Sequence, residues 1–168
     1  MWKNRYKVFM AVFCIIFVIS LVTLAFATVN YLEFYVALHS LFLRVDSFEC
    51  RILEGGDAVC VFGNFSLVHN SSYSGLVLES VYVSMFVEGD VEPFFERRFW
   101  LDGAVLAPFS SIPLSVENQT LTDNVESFIR LKEQGESVNL TVSSCVFVYI
   151  FGGPFATKVD LEDFSLTL

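Results

Sequence analysis

The first 29 residues constrain the possible folds of this chain more than any other feature. An apolar stretch with no charged residue runs from Val8 to Val29. Its length is close to the ~20 residues that a helix needs to cross a hydrocarbon core of ~30 Å. Lys3, Arg5 and Lys7 precede the stretch. We therefore predict a basic head over residues 1–7 and a transmembrane helix over residues 8–29, through which the chain contacts the lipid bilayer.

Charge predicts which side of the membrane each part occupies. The head carries a charge of +3 and the whole chain −9, so the remainder carries −12. Short basic flanks of a membrane helix stay in the cytoplasm, which places the head there and the acidic remainder outside. An acidic domain also has little means of releasing counterions from a phosphate backbone. Nucleic acid is therefore excluded as a partner.

A cleaved secretory signal is the alternative interpretation of the N-terminus. Residues 25–27 read Ala-Phe-Ala, the small-x-small form of a cleavage site, and cleavage there would release a product beginning at Thr28. The apolar run is longer than the roughly 7–15 residues usual for a signal. Apolar residues also continue as far as Leu43, so we expect the helix to continue to about residue 42. These two features favour a retained anchor.

Four tripeptides of the form Asn-x-Ser/Thr support the outside placement, because this tripeptide is the N-glycosylation acceptor of secreted domains. The candidate acceptors are Asn64, Asn70, Asn118 and Asn139. For each one, an ordinary polar strand or turn residue is the alternative. The four tripeptides bear on topology and indicate no activity.

The four cysteines are compatible with an oxidising compartment. Cys14 lies within the apolar run and is interpreted as a small apolar residue. Cys50 and Cys60 flank the turn sequence at 54–57, and a three-residue hairpin loop would set them opposite each other. They are therefore the disulfide candidates. Pairing with Cys145 is the alternative, and one thiol is left over in either case.

Alternating apolar residues between turn-forming clusters predict a β-rich domain over residues 43–168. Pro113 predicts an edge strand or a bulge, because proline cannot donate to a strand ladder. One short helix is expected from a cap at 122–124 to about Gln134, with Gly135 as its stop. The predicted strands cover residues 45–52, 58–68, 76–88, 94–101, 110–117, 138–151 and 156–166. About seven short strands predict a fibronectin- or immunoglobulin-like antiparallel β-sandwich.

The segment 65–83, FSLVHNSSYSGLVLESVYV, resembles the late embryogenesis abundant group 2 family, also called the water stress and hypersensitive response domain. The motif of that family is a strand that ends in Asn-Pro-Asn, followed by a strand that leads to a Tyr and a Gly-containing turn. This chain keeps Asn70 and has Val-Glu-Gly at 87–89, while Ser71 and Ser72 replace Pro-Asn. The phrase at 107–114 and the closing strand that runs into Phe-Gly at 151–152 are also similar.

The resemblance covers residues 43–168 and implies a fibronectin-like β-sandwich with no active site. It also implies a loose association with desiccation and membrane protection. Together with the glycosylation acceptors, it indicates a membrane-anchored member of archaeal type at a cell surface.

No catalytic or cofactor-binding constellation is recognisable in the sequence. His39 and His69 lie 30 residues apart and are interpreted as surface or interface residues. Asp160, Glu162 and Asp163 could approach a calcium ion, which takes roughly six to eight oxygen ligands. On a strand, Asp163 points away from the other two, so a solvated face is the preferred interpretation. We expect a protein that is not an enzyme and needs no metal or cofactor.

The strand at 94–101 carries the candidate partner-binding site. Phe95, Arg97 and Phe99 share one face of this strand, and the even-numbered residues from Phe94 to Trp100 share the other. One aromatic set is expected to lie outward, and exposed aromatic and Arg residues favour interfaces. We assign partner contact to the first set. An edge strand protected by charge is the alternative.

Three classes of function remain open at this point. The favoured class is a non-catalytic, single-pass, membrane-anchored cell-surface protein. Its sandwich would contact an envelope or surface protein, or a second copy of itself, and the resemblance adds a stress-protective role. The second class is a subunit of an archaeal surface filament or of a motility or secretion machine, in which an apolar N-terminal helix also joins a β-sandwich. An extracellular enzyme or carrier is the third.

Overall fold

The computed structural model describes residues 2–168, and it describes side chains from residue 6 onward. The side chains of Lys3 and Arg5, which belong to the predicted basic head, lie outside the described residues. The chain divides into two compact units, the segment up to Val36 and the domain Ala37–Leu168.

The first helix, α1, comprises Trp2–His39. From Tyr6 to His39 it is long and apolar enough to cross a membrane. Every large apolar side chain between Val8 and Phe26 exposes 45% or more of its surface. A helix that is apolar on all sides is stable only where lipid or protein covers it. The predicted limits of the membrane-spanning part, 8–29, stay a prediction.

Hydroxyl groups along α1 are satisfied within the helix. Ser20, Thr23 and Thr28 each donate to the carbonyl four residues earlier, at 2.9 Å in every case. In a hydrocarbon environment no water is present to pair with such groups, so internal pairing is required there. These three bonds make the helix chemically suited to lipid.

The end of α1 differs from the expected end near residue 42. The Ser40 N–H donates to the Ala37 carbonyl at 3.1 Å, and the helix ends at His39. Leu41 and Leu43 are buried while Phe42 is exposed, which is the alternation of a strand. The apolar residues of this segment fit a helical and an alternating period equally well, and pairing with the next strand decides in favour of the strand.

Eight strands and one further helix form the domain, together with a short 3₁₀ turn at Ile150–Gly152. The helix, α2, comprises Glu126–Glu133. The strands are β1 (Leu41–Ile52), β2 (Val59–His69), β3 (Leu76–Val87), β4 (Phe95–Leu106), β5 (Ser111–Leu121), β6 (Asn139–Tyr149), β7 (Ala156–Asp160) and β8 (Phe164–Thr167).

The strands pair in two antiparallel sheets. One sheet has the order β1-β2-β5. In the other sheet β3 lies between β4 and β6, and both β7 and β8 pair with β6. The predicted fold class, mainly β with a long apolar helix and one short helix, is confirmed. Pro113 lies opposite Ser66 in β5, which pairs only with β2 and is an edge strand as predicted.

The final strand expected at 156–166 is interrupted, so the structure has eight strands and not about seven. β7 pairs with residues 145–149 of β6, and β8 pairs with residues 139–142. Between them Leu161 turns inward, is 7% exposed, and donates its N–H to the Ser144 carbonyl at 2.9 Å. Burial of one leucine therefore divides the strand.

β4 continues beyond the end expected at Leu101. Asp102 and Gly103 have positive φ values of 47° and 84° and form a bulge instead of a turn. Leu78 pairs with Ala104 and Ser80 with Trp100, so three residues of β4 face one residue of β3. A bulge bends a strand without ending its pairing.

The core between the two sheets is centred on aromatic side chains. The Phe95 ring lies 5.8 Å from the Phe48 ring and 6.4 Å from the Phe65 ring. Phe48 and Phe65 belong to the three-stranded sheet, and Phe95 belongs to the five-stranded sheet. A Cβ atom at Gly63 would lie 2.9 Å from the Phe65 ring, so glycine leaves the space that this cluster fills.

α2 covers one end of this core. Val125, Phe128 and Ile129 are buried, and the Phe128 ring stacks on the Phe94 ring at 4.7 Å. The predicted cap at 122–124 is wrong, because the N-cap is Val125 and no side chain caps the helix. The apolar contacts of α2 therefore position it without a polar cap.

Candidate interaction surfaces

The structure places the predicted partner-binding residues on the inward face of β4. Phe95 is 1% exposed within the aromatic core, and Phe99 lies 6.1 Å from the Phe65 ring. Arg97 pairs in register with the buried Val83 and reaches solvent from the sheet edge. Phe95 therefore cannot contact a partner. Contact of a partner with Arg97 and Phe99 stays a prediction, because alternation alone does not say which face meets the second sheet.

The outward face of β4 carries the aromatic and basic cluster that the prediction sought. The guanidinium carbon of Arg98 lies 4.0 Å from the centre of the Trp100 ring and 4.7 Å from the centre of the Phe147 ring. Arg98 Nε also donates to Ser80 Oγ at 3.0 Å, and Nη2 pairs with Glu79 at 3.4 Å. These bonds hold the guanidinium group between two aromatic rings, where cation–π attraction adds to the hydrogen bonds.

Trp100 is the exposed member of this cluster, with 59% of its surface accessible. We refer to Arg98, Trp100 and Phe147 as the outer cluster. Its arginine is held in place before any partner binds, and an anchored arginine beside an exposed tryptophan is the composition of an interface centre. The outer cluster can therefore bind another protein surface with little loss of side-chain entropy.

Two further polar pairs lie on the outward face of the five-stranded sheet. The Tyr82 hydroxyl donates to the Glu96 carboxylate, and this bond raises the pKa of Tyr82 to about 12. Lys158 forms an ion pair with Asp160 at 2.6 Å, and that hydrogen bond raises the pKa of Lys158. Both groups keep their protons at neutral pH. The outward face thus offers a fixed pattern of charges around the outer cluster.

The four candidate glycosylation acceptors are all exposed, as an acceptor must be. Asn64 Nδ2 donates to Ser47 Oγ at 3.0 Å, and Asn139 Nδ2 donates to Glu88 at 3.0 Å. Asn118 Oδ1 accepts a hydrogen bond from the Cys60 thiol, with 2.8 Å between Oδ1 and Sγ. Asn70 follows β2 directly. Their use as acceptors stays a prediction.

The two disulfide candidates are free thiols in the structure. The connection between β1 and β2 has Leu53 bonded to Ala58, which leaves a turn of four residues and not three. Cys50 therefore pairs in register with Val61, and Cys60 with Arg51. A shift of one residue sends the two side chains to opposite faces of the sheet. Burial raises the pKa of the Cys50 thiol to about 12.

His69 is fully buried and does not lie at the surface where the sequence placed it. Its Nδ1 lies 3.1 Å from the Ala107 carbonyl oxygen, and its Nε2 lies 2.7 Å from Ser71 Oγ. A carbonyl can only accept, so Nδ1 carries the proton and Nε2 accepts from the serine. Ser71 Oγ in turn accepts from the Tyr73 N–H at 3.2 Å. His69 thus links the connection that contains Ser71 to the connection that contains Ala107. Its unprotonated ring nitrogen, Nε2, already accepts a hydrogen bond and is therefore unavailable as a base.

The acidic residues considered for calcium line an open groove of about 800 Å³ beside the start of β1. Asp160, Glu162 and Asp163 are all exposed there. Asp160 is already paired with Lys158. Among the described residues, 2–168, no group of three or more His, Cys, Asp or Glu side chains is placed to hold a metal ion. The groove gives no support for a calcium site.

The chain is similar to several solved structures at low sequence identity. No family model and no curated protein matches the chain. An Archaeoglobus fulgidus protein with a crystal structure is 12% identical to this chain. The match covers 74% of this chain and 94% of that protein, with a TM-score of 0.42. An Arabidopsis thaliana protein solved in solution is 11% identical over 75% of this chain and 80% of its own, with a TM-score of 0.47. A Bordetella pertussis protein is 14% identical to this chain. The match covers 75% of this chain and 93% of that protein, with a TM-score of 0.42.

The sequence contained a partial signal for the outer cluster and none for the buried histidine. Arg98 and Trp100 stand two residues apart, the spacing that places neighbours on one strand face. The choice between that face and the Phe95 face needed the position of the other sheet. His69 precedes a turn of polar residues, and nothing local distinguishes a buried histidine from an exposed one there.

Proposed function

We propose that this chain is a non-catalytic, single-pass, membrane-anchored cell-surface protein whose β-sandwich contacts another protein of the envelope. The observation that carries the proposal is the outer cluster, which presents a pre-positioned Arg98 and an exposed Trp100 on the outward face of the five-stranded sheet. An envelope or surface protein is the expected partner, and a second copy of this chain is the other.

Membrane anchorage and orientation belong to the same proposal. The helix from Tyr6 to His39 supports it by length and composition, and the acidity of the remainder supports an extracytoplasmic domain. The four exposed Asn-x-Ser/Thr sites support a glycosylated archaeal surface protein. The resemblance of segment 65–83 to the late embryogenesis abundant group 2 family adds a stress-protective role for the domain near the membrane.

Protease treatment of whole cells tests the orientation. The acidic domain should be digested while the basic head is protected, and the chain should resist extraction by alkaline carbonate. Mass analysis of the recovered protein reports occupied asparagines at the same time. A domain protected in intact cells, or a soluble product beginning at Thr28, would contradict the proposal.

Cross-linking in intact membranes tests the outer cluster as the contact surface. The test variant is Arg98→Glu with Trp100→Ser. The matched control is Arg51→Glu with Phe62→Ser, since Arg51 stacks on the Phe62 ring at 5.4 Å in the other sheet. The test variant should lose the cross-linked partner and the control should keep it. Retention by both variants would remove the outer cluster from the proposal.

A filament or machine subunit is the second candidate. The observation that favours it is the short connection between helix and sandwich, in which α1 ends at His39 and β1 begins at Leu41 with one residue between them. An apolar N-terminal helix joined to a β-sandwich is the arrangement expected of this second class. Size analysis in mild detergent separates the two candidates, because a polymer gives a high-mass species and the favoured function gives a monomer or a small assembly.

A further inference from the structure

We propose that one end of the sandwich inserts three uncharged loops into the headgroup region of the membrane that holds α1. The loops are the connections at 70–75, 107–110 and 150–155, here called the proximal loops. This proposal rests on the membrane anchorage proposed above. It adds that the domain itself contacts the bilayer, and it names the surface that does so.

Strand register places the three proximal loops at the same end of the domain as the start of β1. Leu41 pairs with His69, so β1 begins where β2 ends and the connection at 70–75 begins. The His69 N–H donates to the Ser110 carbonyl, and the Phe109 N–H donates to the Ser71 carbonyl. These bonds join the connection at 107–110 to the same end.

The third proximal loop reaches this end through the five-stranded sheet. Leu76 pairs with Leu106, and the next residue, Val77, pairs with Tyr149, the last residue of β6. Tyr149 in turn pairs with Ala156, so the loop at 150–155 joins β6 to β7 at this end. The chain enters the domain here, directly after the apolar helix. The three proximal loops therefore share one end of the domain with the point at which the chain enters it.

Charge is segregated between the two ends of the domain. The proximal loops read NSSYSG, APFS and IFGGPF and contain no charged residue. The connections at the opposite end, 53–58, 88–94 and 122–138, contain nine acidic and two basic residues. Transfer of charge into the headgroup and acyl region is costly, and anionic lipids repel acids. The proximal loops thus lack the charge that the opposite end carries, and the nearest acids are Asp160, Glu162 and Asp163 in the groove beside the start of β1.

The proximal loops expose large aromatic side chains. Phe109 is 69% exposed, Phe155 is 75% exposed, and Phe151 is 49% exposed. Phe side chains on an otherwise uncharged surface favour the boundary between headgroups and acyl chains. Exposure of this kind to water is unfavourable, and insertion into the boundary removes the unfavourable contact.

Two of these aromatic residues have a backbone conformation that bulky side chains rarely adopt. Phe109 has φ 49° and Phe151 has φ 48°, in the left-handed region that bulky residues rarely adopt. Such conformations persist only where surrounding structure imposes them, and they concentrate at functional sites. The hydrogen bond from the Phe109 N–H to Ser71, which is tied to the buried His69, supplies that constraint for Phe109.

Tryptophan quenching by lipid tests the proposal on the full chain. The protein is reconstituted in phosphatidylcholine vesicles whose acyl chains carry bromine near the headgroup. Phe109→Trp and Phe155→Trp report on the proximal loops. Val91→Trp is the matched control, because Val91 is 92% exposed at the opposite end. Native Trp2 and Trp100 give the same background in all variants, and the sidedness of insertion does not matter because both leaflets contain quencher.

The added tryptophans at Phe109 and Phe155 should lose roughly half of their emission, and the one at Val91 should lose almost none. Equal and small quenching at all three positions, in protein that floats with the vesicles, would overturn this inference and leave the anchor intact. Failure of the full chain to float would instead contradict the proposed membrane anchorage. Near-UV circular dichroism confirms that each variant is folded, and quenching at Phe155→Trp alone decides the case if Phe109→Trp is misfolded.

Discussion

The guanidinium carbon of Arg98 lies 4.0 Å from the centre of the Trp100 ring on the outward face of the five-stranded sheet, where Trp100 is 59% exposed. Phe147, on β6 across the intervening β3, has its ring centre 4.7 Å from the same group. The arrangement stabilises the five-stranded sheet, and it is also the surface that we propose for partner contact. Stability and binding can therefore be tested at one residue.

Replacement of Arg98 with alanine removes two cation–π contacts and the bond to Ser80. We expect the free energy of unfolding to fall by about 1–2 kcal/mol. Arg51→Ala is the control, because Arg51 lies 5.4 Å from one ring and its side chain is 70% exposed. Arg51→Ala should lower the free energy of unfolding by less than about 0.5 kcal/mol. Urea unfolding of the chain in detergent measures both, and equal losses would contradict the structure.

Replacement of Phe95 tests which face of β4 is buried. Phe95→Ala should lower the free energy of unfolding by about 3–5 kcal/mol, because it leaves a cavity between Phe48 and Phe65. Trp100→Ala should cost about 1 kcal/mol or less, because Trp100 is largely exposed. Thermal unfolding followed by near-UV circular dichroism gives both values. The opposite order would restore Phe95 as a surface residue.

Replacement of His69 with alanine should loosen the proximal end of the domain. The change leaves the Ala107 carbonyl and the Ser71 hydroxyl with one hydrogen-bond partner fewer, and it opens a cavity. We therefore expect the free energy of unfolding to fall by roughly 3 kcal/mol. Ser71→Ala removes only part of the network and should cost about 1 kcal/mol. Hydrogen exchange at the Phe109 amide should accelerate in both variants, and more in His69→Ala. Unchanged exchange would show that the link has no structural effect.

Tyr82 makes stability depend on pH at the alkaline end. Its pKa is raised to about 12 by the bond to the Glu96 carboxylate, then by burial. Because the folded-state pKa lies above the unfolded value of about 10, this stabilisation is complete below pH ~10 and is lost as the pH rises toward 12. The difference in phenolate absorbance between the native chain and Tyr82→Phe reports the titration of Tyr82. Glu96→Gln should lower the pKa of Tyr82 toward its ordinary value, and an unchanged titration would contradict the bond.

Thiol alkylation tests the register of β1 and β2. All four cysteines should react with iodoacetamide in denatured protein that has not been reduced, since the structure holds no disulfide among its described residues. In folded protein Cys50 should react slowly at pH 8, because burial raises its pKa to about 12 and little thiolate is present. A denatured chain short of two alkyl groups would instead support a disulfide.

Much of the fold could be predicted from the sequence because its patterns are local. The uncharged run from Val8 to Val29 predicts the long apolar helix, and turn formers between alternating segments predict the strands. Gly135 predicted the end of α2 correctly. Local pattern failed where one residue changed the outcome, as at the four-residue turn before Ala58 and at the inward turn of Leu161.

The candidate site was less predictable than the fold. Both faces of β4 carry aromatic residues and arginine, and the sequence favours neither. The second sheet settles the question, because the ring of Phe95 meets Phe48 and leaves Arg98 and Trp100 outward.

By itself, the sequence determined that a long apolar helix precedes an acidic β-rich domain. Runs of apolar residues and their alternation with polar residues are local features of the chain, so they can be read before the chain folds. The tertiary structure alone decided which face of β4 is buried, that Cys50 and Cys60 point apart, and that His69 is enclosed. It also brought three uncharged loops to one end of the domain. Each of these outcomes depends on strand register and on sheet packing, which join residues far apart in the chain.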